Sequence, residues 1–177
     1  MNNISSVCTY VFCKNEKGEI CTLVGKRTSS APTGANLYTP PMGMVELGEN
    51  PYDAAVRECF EEAGIKLFKN KIKYHDKESY QMFGKQYTGV NFYIVLNGNI
   101  SEYPIGKGDG ENEHFIWLPL TQIDNIQWAF GTKDKINEII YKLTKGKNSI
   151  CLTESELKHV INESVKKVYQ TLIERYM

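Results

Sequence analysis

Two apolar, β-prone runs, residues 5 to 13 and 19 to 25, flank the turn-forming Lys14-Asn15-Glu16-Lys17-Gly18 and predict a β-hairpin. The pattern then breaks: TSSAPTGANLYTPP, from Thr28 to Pro41, is rich in Ser, Thr, Gly and Pro and reads as loop. Residues 51 to 64 read as a helix with clear punctuation. Asn50 suits the N-cap, Pro51 the first helical position and Gly64 the position just past the end. Strands are expected over 72 to 83 and 87 to 96, followed by a polar, Gly-rich loop, GKGDGENE, that leads into HFIWLPL. Residues 132 to 143, TKDKINEIIYKL, form an amphipathic pattern. After KGKNS, Thr153 and Glu156 make a capping-box signature for a last helix, with Leu157, Val160, Ile161, Val165, Val168, Tyr169, Leu172, Ile173 and Tyr176 on one stripe. Strands and helices mixed in this order point to an α/β or α+β fold, with helices covering a mixed sheet.

The first helix carries a charge pattern that stability does not explain. On a wheel at about 100° per residue with Glu58 at zero, Glu62 falls at about 40°, Ala54 at about −40°, Glu61 at about −60° and Arg57 at about −100°. Tyr52, Val56, Cys59, Phe60 and Ala63 occupy about 100° to 200° and are expected to bury against a sheet. Ala54, inside the acidic arc, is expected to leave room for something to approach. From Glu46 to Glu62, the acids Glu46, Glu49, Asp53, Glu58, Glu61 and Glu62 face Arg57 alone, a local charge of −5. Glu58 repels Glu62 at i,i+4 and Glu61 at i,i+3, each by roughly 0.2–0.5 kcal/mol. The helix macrodipole also disfavours anions near this end. A solvated acidic face is one reading of such a cluster. Bound divalent cations would remove the repulsion, and hard oxygen ligands suit Mg²⁺ or Mn²⁺. The glycine turn, the earlier acid and the embedded arginine favour the metal reading.

Composition narrows the picture further. The 177 residues suffice for one domain with a core, divided here into a domain over 1–147 and a helical extension over 148–177. Lys and Arg number 21, as do Asp and Glu, so no broad basic surface for a nucleic-acid polymer is expected. No run approaches the roughly 18–20 apolar residues of a membrane span, and the N-terminus lacks a basic n-region, so the expected address is cytoplasmic. Five cysteines without a CxxC pair read as buried thiols in a reducing compartment.

The stretch GMVELGENPYDAAVRECFEEAGI, residues 43 to 65, resembles the Nudix box, G-x5-E-x7-R-E-U-x-E-E-x-G-U, where U is a bulky aliphatic residue. Gly43, Glu49, Arg57, Glu58, Glu61, Glu62 and Gly64 fall in register. Cys59 departs from the usual aliphatic, and Met42 stands where a glycine often precedes the box. The resemblance implies a Nudix fold, an α/β/α sandwich around a mixed sheet, over roughly residues 4 to 145. It implies metal-assisted hydrolysis of a diphosphate linkage in a nucleotide, with Mg²⁺ or Mn²⁺ held by Glu58, Glu61, Glu62 and the Gly43 carbonyl. It also implies that Arg57 pairs with Glu49 to orient the carboxylates. The general base stays open between Glu58 and an acid before Trp117, Glu113 or Glu111.

Substrate signals are sparser. Tyr80, 16 residues past Gly64, stands near a tyrosine associated with dinucleoside polyphosphate hydrolases, and residues 76 to 88 lack the proline associated with ADP-ribose. Arg27 is a candidate phosphate contact, and Tyr38, Phe83, Trp128 and Phe130 are candidates for base stacking. The apolar stripe of the last helix needs a cover, supplied either by the domain itself or by a second subunit, and its length favours a homodimer. A different class, a catalytically silent Nudix-fold binding module, is the alternative; such relatives often lack box carboxylates, and this chain keeps them. An isoprenoid diphosphate isomerase on the same fold has nothing in the sequence to demand it.

Overall fold

Seven strands form one mixed sheet among the described residues, 4–107 and 110–145, of the computed structural model. They are β1 (Ser6–Lys14), β2 (Ile20–Arg27), β3 (Tyr38–Thr39), β4 (Met42–Met44), β5 (Lys73–Met82), β6 (Lys85–Asn99) and β7 (Asn112–Pro119). Two α-helices accompany them, α1 (Pro51–Ala63) and α2 (Thr132–Lys145). The proposed extension over 148–177, its capping box and its apolar stripe lie outside the described residues.

The expected hairpin forms, with Asn15 closing its turn by accepting from the backbone N–H of Lys17 and Glu19. Its two strands pair only over Phe12–Lys14 and Ile20–Thr22, and then part. Beyond that point β1 pairs antiparallel with β4, and β2 pairs with β3 through Gly25 and Lys26, while the other edge of β2 pairs with β7 from Cys21 to Arg27. β3 and β4 fall at the edge of the stretch read as loop, too short for periodicity to reveal them. On its other side β1 runs parallel to β6, which pairs antiparallel with β5. Phe83 and Gly84, at φ 49° and 73°, make the tight turn between β5 and β6.

Strand alternation divides the core in two. Val7, Val11, Leu23, Val90, Phe92, Ile94 and Phe115 face α1 and pack with Ala54, Ala55, Cys59 and Ala63. Cys8, Tyr10, Phe12, Val24 and Leu118 face the opposite way and pack with Ile136, Ile139, Ile140 and Leu143 of α2. The sheet therefore lies between helices, as the Nudix resemblance implies, in an α/β/α arrangement. α1 begins where expected: Asn50 accepts from the N–H of Tyr52 at 2.9 Å. It ends at Gly64, at φ 72°, where a side chain would meet the Gly106 backbone at 2.7 Å. Only glycine satisfies both demands.

Candidate active site

The buried arc of α1 is turned further towards the acids than the wheel predicts. Phe60, expected to be buried, is 57% exposed, whereas Ala54, expected to open the acidic face, is in the core. Burial instead runs from Ala54 through Ala55, Glu62 and Cys59 to Ala63, about −40° to 140° on the same wheel. The small side chains let the helix lie close to the sheet, which turns two of its three clustered glutamates inward. Glu62 is 2% exposed, Glu58 has 12% of its side chain exposed, and Glu61 keeps 49%.

A buried carboxylate needs donors. The N–H of Met42 donates to Glu62 Oε2 at 2.9 Å, and Asn112 Nδ2 donates to Oε1 at 3.0 Å. Asn112 stands in a stretch that reads as polar loop, so sequence reasoning misses it. The β2–β7 register sets it opposite Arg27 at the start of a strand. Its Oδ1 is buried without a hydrogen-bond partner.

Gly43 explains the position of Glu58. A Cβ at residue 43 would lie 2.1 Å from the Glu58 carboxyl carbon, so the carboxylate rests where any other residue would place its side chain. Arg57 gathers the rest. Its Nε and Nη2 reach Glu49 Oε1 and Oε2 at 3.0 and 2.9 Å, a bidentate pair. Its Nη1 donates to Glu58 Oε1 at 2.7 Å and Glu61 Oε2 at 3.0 Å, and its Nη2 also reaches the Met44 carbonyl at 2.9 Å. The hydrogen bonds to Glu49, ahead of those to Glu58 and Glu61, push the guanidinium pKa up, and Arg57 in turn holds Glu49 below the usual carboxylate range. Glu58 moves the other way: burial raises its pKa and outweighs Arg57, aided by the charges of Glu61 and Glu111.

Glu46, Glu49, Glu58 and Glu61 thus converge around a single guanidinium. Glu58 and Glu61 lean on Arg57 while Glu62 turns to Met42 and Asn112. The all-oxygen donor set, its excess of negative charge, the cradle at Gly43 and the orphaned Asn112 Oδ1 fit a hard divalent cation. A different group, His75, Asp76 and Glu138, lies on the α2 side and has metal-ligand spacing. There the Lys135 ammonium touches Asp76 and lies 3.7 Å from Glu138, so the chain supplies its own cation.

The remaining candidates are dispersed. Glu113 is on β7 rather than in a loop and accepts from Lys26 Nζ at 2.8 Å. Arg27 is buried, donates through Nε to the Thr33 carbonyl at 3.0 Å and lies 5.8 Å from the Phe130 ring. No carboxylate among the described residues pairs with it. Tyr80 is bonded through its hydroxyl to Ser6 Oγ at 2.8 Å and stacked on Tyr87. Phe83 is at a hairpin tip, and Trp128 is held by the Ile123 carbonyl at 2.7 Å.

Comparison with known proteins decides the family. The NUDIX domain model matches residues 5–139. The chain belongs to the NUDIX domain family. Nudix hydrolase 6 of Arabidopsis thaliana is 33% identical over 54% of this chain, which spans about a third (32%) of that relative's length. An RNA pyrophosphohydrolase of Bartonella clarridgeiae is 28% identical, over 70% of this chain and 81% of its own. Among solved structures, the NUDIX domain of Shewanella oneidensis NrtR, complexed with ADP ribose, superposes with a TM-score of 0.68 at 15% identity, covering 81% of this chain and 90% of that one. At that identity the likeness is one of fold, and it agrees with the layered NUDIX architecture described above. Among the described residues no helix is long and apolar enough to cross a membrane.

Proposed function

We propose that this NUDIX domain protein is a metal-dependent hydrolase that cleaves a diphosphate linkage in a nucleotide. The observation that carries the reading is the gathering of Glu49, Glu58 and Glu61 by Arg57, with Glu58 laid against Gly43. Glu58, Glu61, Glu62 and the Gly43 carbonyl would hold Mg²⁺ or Mn²⁺, which neutralises phosphate charge and lowers the pKa of a bound water. Arg57, locked by Glu49, keeps the carboxylates aimed at one place. Glu58, laid against the Gly43 turn, is the proposed proton acceptor. Glu113, the other candidate base, is tied to Lys26. Arg27, without a carboxylate partner among the described residues, is the proposed phosphate contact. Tyr80, already engaged by Ser6 and Tyr87, supports dinucleoside polyphosphates weakly. The substrate class is therefore a nucleotide with a pyrophosphate bond, in keeping with one relative named an RNA pyrophosphohydrolase and a structural neighbour bound to ADP ribose.

The test is a panel of dNTPs, oxidised dGTP, Ap4A, ADP-ribose, NADH, sugar nucleotides and 5′-triphosphorylated RNA, each with Mg²⁺ and with EDTA. Metal-dependent cleavage of one class is expected, and the products identify the phosphorus attacked. Folded protein that cleaves none of them, with Mn²⁺ also tried, while binding one of the nucleotides would replace the enzyme with a ligand-binding module.

A further inference from the structure

We propose that Asn112 is a positioning residue that sets the affinity of the acidic site for its divalent cation by fixing Glu62; this rests on the reading of the site given above. Glu62 comes from the last turn of α1 and is 2% exposed, so its direction is decided by the groups that meet it. One is the N–H of Met42, which backbone pairing with β1 fixes whatever the side chain at 42. Another is the amide of Asn112, a side-chain donor from β7. Two donors from two different strands hold the two carboxylate oxygens, and the plane of the carboxylate follows.

The cost of the arrangement argues for its purpose. Asn112 is 6% exposed, and pointing Nδ2 at Glu62 forces its Oδ1 into a buried place without a donor. Buried polar atoms are almost always satisfied, so an orphan beside a candidate ligand is better explained by what the other half of the amide does. Partners behind a metal-binding carboxylate typically change metal affinity by about 10- to 100-fold.

The experiment is titration of the full chain with Mn²⁺, free ion being read by its EPR signal, without nucleotide. Asn112→Ala is expected to weaken Mn²⁺ binding by about 10- to 100-fold. Asn112→Thr, which suits a strand and keeps a hydroxyl donor, is expected to lose less. Near-UV circular dichroism identifies variants that fold, and the threonine variant decides if the alanine variant does not. Folded Asn112 variants with wild-type Mn²⁺ affinity overturn the inference. Glu61→Gln separates the two failures. If it weakens Mn²⁺ binding while the Asn112 variants do not, Asn112 is structural and the site stands. If neither position matters, the metal reading of the site falls as well.

Discussion

The two sides of the sheet each carry a cluster of acids, and they solve the same electrostatic problem in opposite ways. On the α2 side, Asp76, Glu78 and Glu138 face two ammonium groups. Lys135 touches Asp76, Lys142 lies 3.3 Å from His75 Nδ1, and Asn91 donates to Asp76 and Glu78 at 2.8 and 2.9 Å. Three carboxylates against two ammonium groups leave a small excess. On the α1 side, four carboxylates share Arg57 and Glu62 lies on the same helix, so five carboxylates against one guanidinium leave an excess of −4 among these groups. Metal-type spacing alone would favour the α2 group. Charge balance favours the α1 group, because among the described residues the excess of carboxylate over cation is larger there.

The largest effect expected from breaking the contrast is at Glu62. Glu62→Gln should lower turnover by at least about 100-fold and weaken Mn²⁺ binding. Both oxygens of Glu62 accept from donors, so an amide there must set its own NH₂ against one of them, and a melting-temperature drop is expected as well. Unchanged turnover would remove Glu62 from the site. Arg57→Ala should cost about 1–3 kcal/mol of stability, since it strips several carboxylates of their shared donor. Thermal melts should show Mg²⁺ recovering more of that loss than it adds to the wild type; equal Mg²⁺ shifts would contradict the charge-excess account.

The α2 side supplies the smaller and opposite predictions. Lys135→Met should destabilise by about 1 kcal/mol, because Asp76 loses its charged donor, yet leave Mg²⁺-dependent turnover unchanged. A changed Mg²⁺ requirement would mean the two sides are coupled.

The weakest effect is a pH slope from His75. Burial, helped by Lys142, lowers its pKa against the pull of Asp76 and Glu138. A histidine depressed in the folded state leaves the unfolded chain binding more protons. Its stability contribution is therefore full above the unfolded pKa of about 6.5 and falls as pH drops below it towards the folded value. Denaturant melts at pH 5 to 7 should show this slope in the wild type and lose it in His75→Leu. Asp76 contributes only at lower pH: burial raises its pKa, but Lys135 and Asn91 together outweigh burial and depress it, so its contribution fades in the acid range.

Local chemistry made much of the protein legible in the sequence. The hairpin, the helix with its Asn50 and Gly64 punctuation, the β5–β6 pair and α2 all follow from turn residues, caps and periodicity, which act within a few residues. The Arg57–Glu49 pair was also legible, because a fixed motif spacing fixes it. Periodicity failed where packing decides. It placed Phe60 in the core and Ala54 at the surface, because a wheel ranks residues by polarity while the sheet accepts the small ones.

The sequence by itself determined the family, the order of the main elements and the excess of negative charge along one short helix. Those depend on composition and spacing, which the unfolded chain already carries. Only the tertiary structure decided which carboxylates turn inward, that Glu62 rests on Met42 and Asn112, that Glu113 answers to Lys26, and that the acids near His75 have a lysine of their own. Those outcomes depend on strand register and on how close a helix can approach a sheet, and residues distant in the chain set both.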